Sequence, residues 1–142
     1  MALKKTQLLP ITTVVGVQTV GIYTAGLTAT SVGVGTTSYV KSIIMHNAGA
    51  AANNAGVGTC RVGVYIYPNT GVTDRVSGVG NSSYRILQID LAPNETSFFE
   101  SNYPLVLAPF NAIAVDVKQP DVGGAGVGTA VNFIINGDTE TT

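Results

Sequence analysis

Apolar and polar residues alternate at period two along much of the chain, the spacing that gives a strand one buried and one wetted face. Val62, Val64 and Ile66 point together, opposed by Arg61, Gly63, Tyr65 and Tyr67. Arg85, Leu87, Ile89 and Leu91 alternate with Ile86, Gln88 and Asp90. The cleanest pattern sets Ile113, Val115 and Val117 against Ala114, Asp116 and Lys118. Val131, Phe133 and Ile135 are likewise opposed by Asn132, Ile134 and Asn136. Over 40–47, strict alternation puts Val40, Ser42, Ile44 and His46 on one face and Lys41, Ile43, Met45 and Asn47 on the other. This segment is apolar on both faces in its middle, which places it inside its sheet. Segments 12–17, 19–23, 96–100 and 105–107 are shorter strand candidates. No stretch carries a helical period, and 48–55, with Gly49 and the Asn53-Asn54 pair, reads as a loop. The expected fold is all-β: an antiparallel β-sandwich, jelly-roll-like, of about eight or nine strands.

Composition agrees with that reading. Glycine is counted at 17, tryptophan is absent, and the 45 % hydrophobic share is carried by small and β-branched residues, a mix poor in helix formers. A chain of 142 residues is long enough for one domain with a core of its own. The expected division is 1–10 as an N-terminal arm or edge strand, 11–137 as the sandwich, and 138–142 as a polar C-terminal tail. Net charge is −1, from seven basic and eight acidic residues, which argues against electrostatic binding to nucleic acid or an anionic membrane. Lys4-Lys5 followed by Leu8-Leu9 imitates a secretion signal, but Gln7, Pro10, Thr12 and Thr13 interrupt the apolar stretch, and no signal peptide is expected.

Candidate chemistry is sparse. A single cysteine, Cys60, excludes an intrachain disulfide framework and a multi-cysteine zinc site, and His46 is the only histidine. The two lie on neighbouring strands of the pattern, yet neither a third orienting residue nor an oxyanion hole is marked. Asp90 and Asp116 read as decoration of solvent faces, and Asp74 and Asp121 lack the dense acidic loop that calcium requires. Gly-Val-Gly recurs at 33–35, 56–58, 78–80 and 126–128 without the Lys and following helix of a phosphate loop, so these are turns. No enzyme activity, cofactor or metal is expected.

Surface composition is more informative. Only 11 % of residues are charged, and beyond the N-terminal pair the lysines are Lys41 and Lys118. Isolated β proteins usually guard their edge strands with charge. A surface this poor in charge suits a subunit whose neighbours cover part of it. The candidate contact residues are Leu3, Lys4, Lys5, Leu8 and Leu9 of the N-terminal segment, with Tyr65, Tyr67 and Phe110. The segment either extends as an arm onto a neighbour or forms an edge strand of its own sheet. Tyr65 and Tyr67 share one strand face, either packed by a second layer or offered to a partner.

The order of segments SYVKSIIMHN (38–47), VGVYIYP (62–68), ILQIDLAPNETSFFE (86–100), PLVLAPFNAIAVDV (104–117) and VNFIING (131–137) resembles small β-sandwich structural proteins of tailed bacteriophages, cyanophage proteins in particular. One departure is Pro109-Phe110-Asn111, where such proteins often carry a Gly-Asp turn. The resemblance implies a non-enzymatic virion component assembled in the host cytoplasm. Its foremost form is a capsid decoration or cement protein that binds the major capsid protein or other virion subunits. A collar, tail or fibre-base subunit, or a carbohydrate-binding module, is the alternative. It also implies a homo-oligomer, a trimer first.

Overall fold

Strands with one apolar face are stable only when that face is covered, and here eight of them cover one another in two layers. The computed structural model describes residues 3–26, 36–49, 58–68, 82–120 and 130–141. The strands are β1 (Lys4–Val14), β2 (Gly16–Thr24), β3 (Thr36–Asn47), β4 (Cys60–Tyr67), β5 (Arg85–Leu91), β6 (Thr96–Leu107), β7 (Ala112–Lys118) and β8 (Val131–Thr141), with a 3-10 turn at Ser82–Tyr84 before β5. One sheet has the order β1-β8-β3-β6 and the other β2-β7-β4-β5.

The antiparallel pairs β1·β8, β2·β7, β3·β6 and β4·β5 are nested, as in one long hairpin. Winding that hairpin brings β3 beside β8 and β4 beside β7, which closes the two sheets. This is the jelly-roll sandwich. Val40, Ile43, Met45, Phe133 and Ile135 from one sheet meet Val62, Val64, Leu91, Ile113, Val115 and Val117 from the other, all at 1 % exposure or less.

Three departures from simple alternation shape the molecule. In β3 the register slips at Lys41, between Val40 (opposite Gly137) and Ser42 (opposite Asn136). The slip reverses which parity faces inward: Ser38 and Val40 are buried before it, and Ile43, Met45 and Asn47 after it. Strict alternation had put Val40 with Ser42, Ile44 and His46, and the bulge is the reason it fails. On the facing strand, 96–100 and 105–107 are one strand, β6, whose residues 101–104 bulge out opposite Lys41. The expected strand over 12–17 instead spans a break, because Gly16, at φ 139°, starts β2 in the other sheet.

Of the two alternatives for the N-terminal segment, residues from Lys4 onward take the second: they belong to β1, an edge strand of the protein's own sheet. The C-terminal end is corrected. Residues 138–141 are no tail: Asp138 stands between Lys5 and Tyr39, and Thr139 between Lys4 and Ser38, inside the sheet. Their polarity misleads because backbone pairing on both sides holds them in the sheet, where Lys41 Nζ reaches Asp138 Oδ2 at 2.9 Å.

Candidate interaction surfaces

On the outer face of β2-β7-β4-β5, period-two geometry lines up Gly63, Tyr65 and Tyr67 of β4 beside Asp116, Ala114 and Ala112 of β7, with Lys118 beside Arg61. Gly63 has no side chain, and the Tyr65 ring lies back over it. A Cβ there would stand 3.0 Å from the Tyr65 hydroxyl and 2.5 Å from Asp116 Oδ1. The Tyr65 hydroxyl donates to Asp116 Oδ2 at 2.8 Å, and Lys118 Nζ lies 3.6 Å from the same oxygen. Tyr65 and Asp116 are each 1 % exposed. Asp116 is therefore not the solvent-facing residue that alternation suggested. A carboxylate is tolerated there because a hydroxyl and an ammonium group accompany it. Tyr67 stacks obliquely on Tyr65 (centroids 6.3 Å) and on Tyr84 (5.0 Å, 47° between planes). Beside them, Arg61 holds Asp90 with two hydrogen bonds of 2.8 and 3.1 Å, which keeps that carboxyl below its ordinary range.

Burial, followed by the hydrogen bond to Asp116 and its negative charge, pushes the Tyr65 phenol up to about 12, with Arg85 opposing. A phenol whose pKa is higher folded than unfolded adds stability that is complete below pH 10 and disappears as pH rises to about 12. Wild-type protein is thus expected to lose about 1–3 kcal/mol more than Tyr65→Phe between those limits. At pH 8 the variant should be the less stable, having left Asp116 without its donor. Urea unfolding of both proteins from pH 8 to 12 checks this; parallel pH curves would refute it.

The expected contact residues divide by burial. Leu9 and Tyr65 belong to the interior and cannot supply contact area. Leu8 packs partly against the core, while Leu3, Lys4 and Lys5 are exposed. Tyr67 is half-buried. Phe110 is a half-buried turn residue in the left-handed region, φ 68°, whose N–H donates to Ala25 O at 2.7 Å. That bond and Ala25 N–H to Asn111 O at 2.9 Å tie the Pro-Phe-Asn turn to the end of β2.

The outer face of β1-β8-β3-β6 carries a surface that alternation missed. Ile134, Ile44 and Phe98 stand in one row across β8, β3 and β6, and Ile11, in a bulge of β1, extends it. Rows of polar side chains flank it, Thr13-Asn132-His46-Thr96 on one side and Gln7-Asn136-Ser42-Glu100 on the other. Phe98 and Ile11, at the two ends, are 58 % and 65 % exposed. The one signal available in sequence was Ile134 standing between Asn132 and Asn136 on its strand face, and the slip at Lys41 disguised that Ile44 shares its row.

His46 and Cys60 are not brought together. His46 Nδ1 is 2.7 Å from Thr96 Oγ1 on an outer face, whereas Cys60 lies in the core on the opposite sheet. Among the described residues no cluster of His, Cys, Asp and Glu could hold a metal ion. Asp74, Asp121 and every residue of the Gly-Val-Gly repeats except Gly58 lie outside the described residues. Compared with protein-family models, with curated proteins and with solved structures, the chain matches none.

Proposed function

We propose that this chain is a non-enzymatic structural subunit of a tailed-phage particle, a decoration or cement protein that binds and stabilises the capsid shell. The observation that carries the reading is the distribution of its surface. With only 11 % charged residues, the protein exposes Leu3, Ile11, Phe98, Tyr103 and Val106 along the two edges of one sheet, and Val20 and Ile86 on the edge strands of the other. Exposed apolar side chains grouped at sheet edges are an aggregation hazard for a solitary protein and an asset for one that is covered in an assembly. The jelly roll is compatible with such a role, though this fold also serves lectins and enzymes, so it adds only by analogy.

The test uses phage particles grown without this gene. Purified protein added to them should bind the shell to saturation at a fixed number of copies, and should raise the temperature at which the genome is released. Absence of binding to heads would overturn the shell reading. Saturable glycan affinity lost on Tyr67→Ala would replace it with the carbohydrate-binding one.

A further inference from the structure

β1 and β6 are the two edges of the same sheet, and their exposed chemistry is complementary. β1 carries Lys4 and Lys5, both exposed, and no acidic residue. β6 carries exposed Glu100 and no basic residue, and exposed Glu95 stands just before it. Each edge also shows large apolar side chains to solvent, Leu3 and Ile11 on the first and Phe98, Tyr103 and Val106 on the second. Lysines, Pro10 and bulges alone would read as guards against edge pairing. Guards do not explain why apolar side chains accompany them on both edges.

We propose that the β1 edge of one copy packs against the β6 edge of the next, head to tail, so that the protein assembles with itself through two different surfaces. The inference deepens the assembly reading above but does not need the partner to be a shell. Strand directions permit it: β1, β8, β3 and β6 alternate, so a neighbour's β1 meets β6 in antiparallel sense. With the cross-sheet rows kept in line, the neighbour's Ile11 falls beside Phe98 and continues the Ile134-Ile44-Phe98 row. Gln7 of that neighbour then falls beside Glu100, and its Lys5 lies diagonal to Glu100, within reach of a long side chain. The bulge at 101–104, with Tyr103 83 % exposed, meets the end of β1 that bears Leu3. Contacts of this head-to-tail kind repeat around an axis and close into a ring when the rotation allows.

Charge reversal tests the pairing, and every altered residue is exposed, so the fold should survive; circular dichroism confirms that. The wild-type mass by light scattering is expected to be that of a discrete oligomer. K5E and E100K, each placing like charges across the contact, should weaken self-association by about a hundredfold and give monomer. The double variant K5E/E100K, which restores opposite signs, should regain the wild-type mass. A wild-type monomer at all concentrations, oligomers indifferent to either reversal, or a double variant that stays monomeric would each overturn the proposal. Shell binding is measured separately, so an oligomer that ignores phage heads would sustain this contact while rejecting the shell reading.

Discussion

Gly137→Ala is expected to cost about 4 kcal/mol or more, a large share of the ~5–15 kcal/mol that holds a domain folded. Gly137 lies in the middle of β8, paired to Thr6 on one side and Val40 on the other. The slips of both neighbours, at Leu8 in β1 and Lys41 in β3, flank Asn136, the residue just before the glycine. There the Tyr39 carbonyl is pressed onto the glycine: an added Cβ would fall on Tyr39 O, far inside contact distance, and 3.0 Å from Leu8 Cδ1. Leu8 can rotate away, but a backbone carbonyl held between two paired strands cannot. The overlap can be relieved only by separating β3 from β8, and that breaks the ladder at the centre of the sheet. Gly58→Ala is the control. Its Cβ would meet only Pro93 Cγ, at an ordinary 3.7 Å, and stability should stay within about 0.5 kcal/mol. Denaturant midpoints of the three proteins decide the matter, and a Gly137→Ala variant as stable as wild type would show that the two bulges can relax.

Asn47→Ala should be nearly as damaging, at about 3 kcal/mol, because one buried side chain serves three backbone groups. Asn47, at the end of β3, has no exposed surface. Its Nδ2 donates to Gly58 O at 3.2 Å and to Leu91 O at 3.0 Å, and its Oδ1 accepts from Gly49 N–H at 3.0 Å. Its backbone pairs with Glu95 O and Asn94 N, both at 2.9 Å. The residue thus joins the start of the β3–β4 connection, the end of that connection and the β5–β6 turn. Alanine keeps the backbone bonds and strands the other three groups, which must then find water or stay unpaired. Asn47→Asp preserves the shape but turns the donor into a second carboxylate oxygen facing two carbonyls. It should be at least as destabilising as alanine at pH 7. Thermal unfolding of the two variants provides the check. An aspartate variant that matched wild type would mean that the Nδ2 bonds contribute nothing.

Where a strand carries no bulge of its own, alternation read its faces correctly, even beside a slipped neighbour. Val62-Val64, Ile113-Val115-Val117 and Val131-Phe133-Ile135 all point inward as expected. Errors arose where neighbouring strands intervene. The inward phase of β3 reverses at Lys41 because the ladder beside it slips, and nothing in the local letters SYVKSII marks the slip. Asp138 and Thr139 look like tail residues, yet β1 and β3 grip them from both sides. Asp116 looks like a solvent-facing carboxylate until Tyr65, from another strand, lies across Gly63 and covers it. Of the candidate contact residues, Lys4, Lys5 and Leu3 are exposed as a contact demands, whereas Leu9 and Tyr65 are lost to the core.

By itself the sequence determined that the chain is made of strands, which face of most of them is apolar, and that charge is too scarce to dress the surface fully. These are properties of neighbouring residues and of totals, so they survive without a partner strand. Tertiary structure alone decided the order of strands in each sheet, the phase of β3, and the burial of Tyr65, Asp116 and Asp138. Backbone hydrogen bonds are alike for any two strands, so partners are chosen by the summed fit of both faces across the whole sandwich. No single segment contains that sum.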